Sequence, residues 1–178
     1  MKKVIGILSL VLLSGLVYAK GPAKDMWDQT LDDIKKVTKG TAVRDVAGDD
    51  GDHLLCYGSE EAIGKCFYFK TKKLVMKFVA VSAQYTEDIK VEPFIKYLSF
   101  LLSNEIKAFG REPDARTGSP GITIETLGSV LKEGALSLGF SWQETKLDLL
   151  FTLMVFQEGD LTIIMRQWSK FSNLESME

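Results

Sequence analysis

His53, the only histidine, lies within four positions of Asp49, Asp50 and Asp52, and is followed by two cysteines, Cys56 and Cys66. An imidazole among carboxylates can serve as a general base or a metal ligand, so each chemistry has to be weighed on its spacing. The run Gly48-Asp49-Asp50-Gly51-Asp52-His53 lacks the alternating oxygen ligands and the distal bidentate Glu of a calcium hand. Zinc wants three or four ligands, and one His beside two pairable cysteines falls short. No metal and no cofactor are expected, and a tight acidic turn with a strand-edge His accounts for the cluster. A serine nucleophile would need His53 as its base, yet no Ser sits in a Gly-x-Ser-x-Gly elbow. The carboxylate pairs Asp32-Asp33, Glu60-Glu61 and Glu87-Asp88 fall at a helix start or at turns, where charge is expected without chemistry. Gly-rich phosphate loops are absent. The one enzymatic reading left is a small secreted hydrolase with a site in the Arg111–Gly134 connection near His53.

The cysteines point elsewhere. Asp52–Gly58 and Lys65–Lys70 read as strands, and in a hairpin centred on Glu61 the residues Cys56 and Cys66 fall directly opposite. Opposed residues have Cα atoms about 4.5–5.5 Å apart, within reach of a disulfide. A redox pair would want Cys-x-x-Cys spacing and a helix N-terminus to depress a thiol pKa, and neither is present. The spacing predicts a structural disulfide.

Apolar periodicity supplies the elements that position these residues. A helix is expected over Asp28–Lys39, with Thr30 and Asp33 as a capping box and Gly40 as its C′ residue. Strands follow at Thr41–Ala47, Asp52–Gly58, Lys65–Lys70 and Lys73–Ser82, the first two joined by the Gly48–Gly51 turn. A longer helix covers Val91–Phe109, with Pro93 in its first turn and Gly110 at its end. Arg111–Gly121 reads as a connection, and Ile124–Gly134 as a short third helix. Three strands, Leu136–Gln143, Lys146–Gln157 and Asp160–Ser169, precede a tail at Phe171–Glu178. The fold class is α+β: an antiparallel sheet of about seven strands packed against two main helices, its order suggesting two related helix-plus-strands halves.

With a two-residue turn at Thr71-Lys72, Phe67 should oppose Met76, and Tyr68 should oppose Val75. One sheet face then carries Leu55, Tyr57, Phe67, Phe69, Leu74, Met76, Phe78 and Ala80 as core. The second carries Leu54, Cys56, Cys66, Tyr68, Val75, Lys77, Val79 and Val81, more apolar than a solvent face should be. The last two strands are apolar on both faces as well. The second face is therefore expected to lie under the third helix and the long connection, the alternative being an exposed binding surface. On that alternative the candidate contacts are Tyr68, Val75, Val79, Trp142 and Trp168.

Residues Met1–Ala19 show Lys2 and Lys3, an apolar run from Val4 to Leu16, and Val17-Tyr18-Ala19, the three-part pattern of a cleavable signal peptide. The run spans only roughly 20 Å as a helix, short of a bilayer core of about 30 Å. Removing the two signal lysines leaves 20 of 22 basic residues against 24 acidic ones, a net charge of −4, with no basic stripe that would suit nucleic acid. A single α+β domain is expected over residues 20–170, in the periplasm or outside the cell. The helix opening Trp27-x-x-Thr30-Leu31-x-x-Ile34, then Gly40 and a strand-loop-strand crossed by a disulfide, makes Trp27–Phe78 similar to two groups of exported α+β modules. These are the β-lactamase inhibitor proteins and the small outer-membrane assembly lipoproteins. The chain lacks the lipid-acceptor cysteine and the Gly-Met-Thr helix opening of the lipoproteins. The resemblance implies a protein-binding role with no catalytic residues to carry over. The expected function is that of an exported, non-enzymatic binding or accessory module whose partner is another protein or an apolar ligand.

Overall fold

A computed structural model describes residues 27–59, 62–118, 123–124, 126–127 and 137–170. The signal segment 1–19, most of the expected third helix and the tail 171–178 lie outside these residues. The chain opens with α1 (Leu31–Val37), followed by β1 (Ala42–Ala47), β2 (His53–Ser59), β3 (Ala62–Lys70) and β4 (Lys73–Tyr85). It continues with α2 (Val91–Phe109), β5 (Ala115–Gly118), β6 (Ser137–Glu144), β7 (Leu149–Glu158) and β8 (Leu161–Lys170). All eight strands form one antiparallel sheet in the order β1-β2-β3-β4-β8-β7-β6-β5. The same course, a helix and then a four-stranded meander, is thus run twice, and the two meanders join through their last strands.

Local chemistry sets the helix ends. The Asp33 amide donates to Thr30 Oγ1 at 3.2 Å, and the Thr30 amide donates to Asp33 Oδ2 at 3.0 Å, closing the expected capping box. α1 is shorter than its apolar period suggests, because Thr38 already has extended backbone and Gly40, at φ 114°, lies beyond it. α2 starts where Pro93 fits its first turn and stops at Gly110, whose φ of 68° is a left-handed cap. Both helices lie on one face of the sheet. Phe94, Leu98 and Leu101 of α2 and Ile34 of α1 share a buried cluster with Leu55, Phe67, Phe69, Phe140, Trp142, Phe151, Leu153 and Ile164. Glu105, also buried, meets Arg166 at 2.5 Å and ties the helix to β8. Burial pushes the Glu105 carboxyl up, and Arg166 opposes that shift.

The sheet has eight strands where about seven are expected. The extra one, β5, is the four exposed residues Ala115-Arg116-Thr117-Gly118, whose strand character comes from pairing with β6, so no apolar alternation marks it. Cys56 does pair with Cys66 in register and is bonded to it. The β3–β4 turn also falls at Thr71-Lys72, both with positive φ as a twist-matched two-residue turn requires. The register beyond that turn differs from the expectation. Phe69 faces Leu74, but Tyr68 faces Met76, so Val75 is an inserted bulge residue. One extra residue exchanges the faces of all that follow. Lys77 and Val79 therefore turn toward the helices, and Met76, Phe78 and Ala80 turn away. A second irregularity, at Val81, separates the pairs Ala80–Met165 and Ser82–Ile164.

The bulge buries Lys77, 6% exposed, with Nζ 5.3 Å from the centre of the Trp168 ring. Burial, helped by the neighbouring Lys65 charge, brings its ammonium pKa down from 10.5 to about 8. Folding thus disfavours the charged form. Lys77→Met should stabilise the protein by about 1–2 kcal/mol at pH 7, after loss of the ring contact is set against the relieved charge burial. The gain should be full below pH 8 and vanish as pH rises to 10.5; chemical denaturation across that range checks it. Cys56→Ala should cost about 3 kcal/mol, since a ten-residue separation closes a small loop. Thermal melting of the variant beside the reduced parent measures that loss.

Candidate functional site: the face without helices

Cross-strand register places residues on the face away from α1 and α2 row by row. Across β2-β3-β4-β8-β7, one row is Leu54, Tyr68, Met76, Ser169 and Leu150, and the next is Cys56, Cys66, Phe78, Gln167 and Thr152. Further along, Ala80, Met165 and Met154 align, then Ala83, Ile163 and Phe156. None of these sixteen positions is charged, and none belongs to the buried cluster beneath the helices. Met76, Phe78, Met154, Phe156, Ile163 and Met165 all keep intermediate exposure. Val46 and Tyr85, at the margins of the same face, are 55% and 57% exposed.

The middle of the face is polar without being charged. The Gln167 side-chain amide donates to Ser169 Oγ at 3.0 Å, and the Ser141 and Thr152 hydroxyls lie 3.2 Å apart. Ser169, Thr152, Cys56 and Cys66 are buried on this face. The surface is a patch of methionine and aromatic side chains around a small set of satisfied hydroxyl and amide groups. It offers shape and dispersion contacts.

The sequence-derived contacts divide. Tyr68 stands on this face, its hydroxyl donating to Asp52 at 2.8 Å; that bond and the Thr71 amide hold the Asp52 carboxyl below its usual range. Val75 is the buried bulge residue, and Val79 sits on the helix side opposite Arg166. Trp142 is fully buried, donating Nε1 to the Arg111 carbonyl at 3.1 Å and stacking on Phe109. Trp168 is buried beside Phe151 and Lys77. Val79, Trp142 and Trp168 therefore lie on the helix side, whereas Val75 is buried outside the cluster beneath the helices. Sequence reasoning passed over Met76, Phe78, Met154 and Met165, and the bulge that exposes the first two leaves no composition signal. The apolar residues on both sides of β7 and β8 were the available clue.

The expected cover for this face is also absent from it among the described residues. Leu127, fully buried, and Ile124, from the segment read as a third helix, belong to the cluster on the helix side. His53 has a separate setting at the β1–β2 corner, where its Nε2 lies 2.5 Å from Asp45 and Lys35 Nζ reaches the same carboxylate at 2.6 Å. Lys35 first, and His53 second, hold the Asp45 carboxyl below its usual value. His53 is on β2 while the described start of the Arg111–Gly134 connection, at β5, is the opposite sheet edge. Six strand spacings of about 4.8 Å put them roughly 29 Å apart, so that part of the connection shares no site with His53. Groups of three or more His, Cys, Asp or Glu arranged for a metal do not occur among the described residues. Neither a family model, nor a curated protein, nor a solved structure matches this chain.

Because Lys35 and Asp45 are each 39% exposed, water screens their attraction, and the corner contributes little. Asp45→Asn should cost at most about 0.5 kcal/mol at pH 7. That small contribution is present above the ordinary carboxyl pKa of 3.8 and is lost as pH falls through the depressed folded value. Urea unfolding of the variant and the parent at pH 7 and pH 3 checks both the size and the sign.

Proposed function

We propose that the protein is an exported, non-enzymatic binding module and that the face without helices is where it holds another protein. The observation that carries this reading is an inversion of the usual charge pattern of a one-sided sheet. Antiparallel sheets covered on one face keep apolar residues under the cover and polar ones toward water. Here the face under α1 and α2 holds Lys77 and Arg166, with Glu105 of α2 against Arg166, while the central strands of the face away from them hold Met76, Phe78, Met154, Phe156, Ile163 and Met165 and no charge. Partly exposed apolar side chains on the face away from α1 and α2 fit an interface core, where charge is depleted and Met and aromatic residues are enriched.

Export is supported by the signal-like segment Met1–Ala19 and by the Cys56–Cys66 disulfide, which persists in oxidising compartments. Among the described residues no helix is long and apolar enough to cross a membrane. The occupied His53 and the absence of any hydroxyl bonded to it among the described residues favour binding over hydrolysis.

Affinity purification of the protein from its host, with Met154→Asp as the comparison, tests the reading. The expected outcome is loss of the co-purifying protein, with a melting midpoint within about 2 °C of the parent, because a charge buried in an interface without a counter-charge weakens it. His53→Ala should leave capture intact. Capture unaffected by Met154→Asp, or abolished by His53→Ala at native stability, would reject the binding face.

A further inference from the structure

The face away from α1 and α2 also gathers oxidisable sulfur. The chain has six methionines. Three of them, Met76, Met154 and Met165, fall among the described residues, and register puts all three on this one face with intermediate exposure. Met154 and Met165 are directly opposed across β7 and β8, where Cβ atoms stand about 4.5–5.5 Å apart. Their row continues to Ala80 on β4 and Gly139 on β6, so neither flank of the pair carries a long side chain. Met76 owes its place to the bulge at Val75, which turns it outward beside Tyr68. Both cysteines are joined in the buried disulfide, so no thiol competes with the thioethers for an oxidant.

We infer that Met76, Met154 and Met165 form a site of reversible oxidation, and that sulfoxide formation there ends docking on this face. This rests on the binding-face reading and names its regulation. The oxidant is a peroxide. A lone pair of the thioether sulfur attacks one peroxide oxygen, and an S–O bond forms as the O–O bond breaks. Sulfur loses two electrons, and the second oxygen leaves as water with both protons of hydrogen peroxide. The product is a polar, chiral sulfoxide in place of a flexible apolar side chain, and each epimer has its own reductase. Hydrogen peroxide is uncharged, as are the rows of side chains it must approach.

Oxidation acts differently on the two faces. The cluster beneath α1 and α2 contains none of the three methionines, so its packing is untouched. On the other face, three sulfoxide dipoles enter a patch whose polar side chains already bond among themselves, Gln167 to Ser169 and Ser141 to Thr152. An apolar partner then has to strip water from the sulfoxide oxygens without supplying a donor, which costs affinity. Docking is lost while the fold stays.

Hydrogen peroxide treatment of the full protein, read by peptide mass spectrometry, tests the inference. The comparison is a variant with Met76→Leu, Met154→Leu and Met165→Leu, which nearly conserves volume and keeps the other methionines. In the folded parent each of the three should gain one oxygen within about tenfold of the rate of free methionine. Its Tm should fall by less than about 4 °C. Retention of the oxidised parent on a phenyl matrix should weaken, and capture of the co-purifying protein should drop at least about tenfold. The leucine variant should keep both after the same treatment. Protection of Met154 and Met165 beyond about a hundredfold in the folded chain overturns the site. So does unfolding on oxidation, or a response equal in parent and leucine variant. If Met154→Asp cancels capture while the oxidised parent still captures fully, the oxidation inference fails and the binding face stands. If oxidation weakens phenyl retention in the parent alone but Met154→Asp leaves capture intact, the binding-face reading fails, and the sulfoxide site stands without its docking role.

Discussion

The pairing of β4 with β8 is the constraint on which the rest of this structure depends. Each half of the chain is a helix and a four-stranded meander, too small to bury a large core by itself and left with a long open edge. Joining the two last strands, from Met76–Ser169 to Tyr85–Leu161, removes both edges at once and makes one continuous platform. α2 then lies on that platform with Phe94, Leu98 and Leu101 turned inward and Glu105 above Arg166 of β8. Within the second meander, Trp142, Phe151 and Trp168 of β6, β7 and β8 form one aromatic run under Phe109. The outer edges that remain, β1 and β5, are short and exposed, and β5 has only four residues.

That platform treats its two faces differently. The covered face accommodates a buried ion pair and a lysine over a tryptophan, each of which loses hydration on folding. The other face carries no charge near the centre and satisfies its few polar groups among themselves. A sheet face left permanently open to water would be expected to show the reverse. Charge under the helices and methionine on the free side make sense together if the free side is covered in the working protein.

The bulge at Val75 shows how one inserted residue exchanges the faces of a strand. Without it, Val79 would stand on the free face and Phe78 in the core; with it, they exchange. Val79 is packed with the core and opposite Arg166, so it contributes to stability, and Phe78 joins the free patch. The residues that carry the proposed interface are therefore neighbours in sequence of those that sequence patterning selects. Register, which is a tertiary property, separates them.

The sequence by itself determined the local and the nearest-neighbour features, because their energetics act over a few residues. The Thr30–Asp33 cap, the limits of α2 between Pro93 and Gly110, the turns at Gly48–Gly51 and Thr71-Lys72, and the Cys56–Cys66 pairing were all legible there. So were seven of the strands, through alternation, and the α+β class. Tertiary structure alone decided what depends on distant partners. It made a strand of Ala115–Gly118 by laying it against β6, and it set the β4 register through a bulge that composition does not mark. It put Leu127 on the helix side. It also separated His53 from β5 by most of the width of the sheet. Those outcomes follow from long-range strand pairing and from where a helix finds an apolar surface, and neither is written in the spacing of residues along the chain.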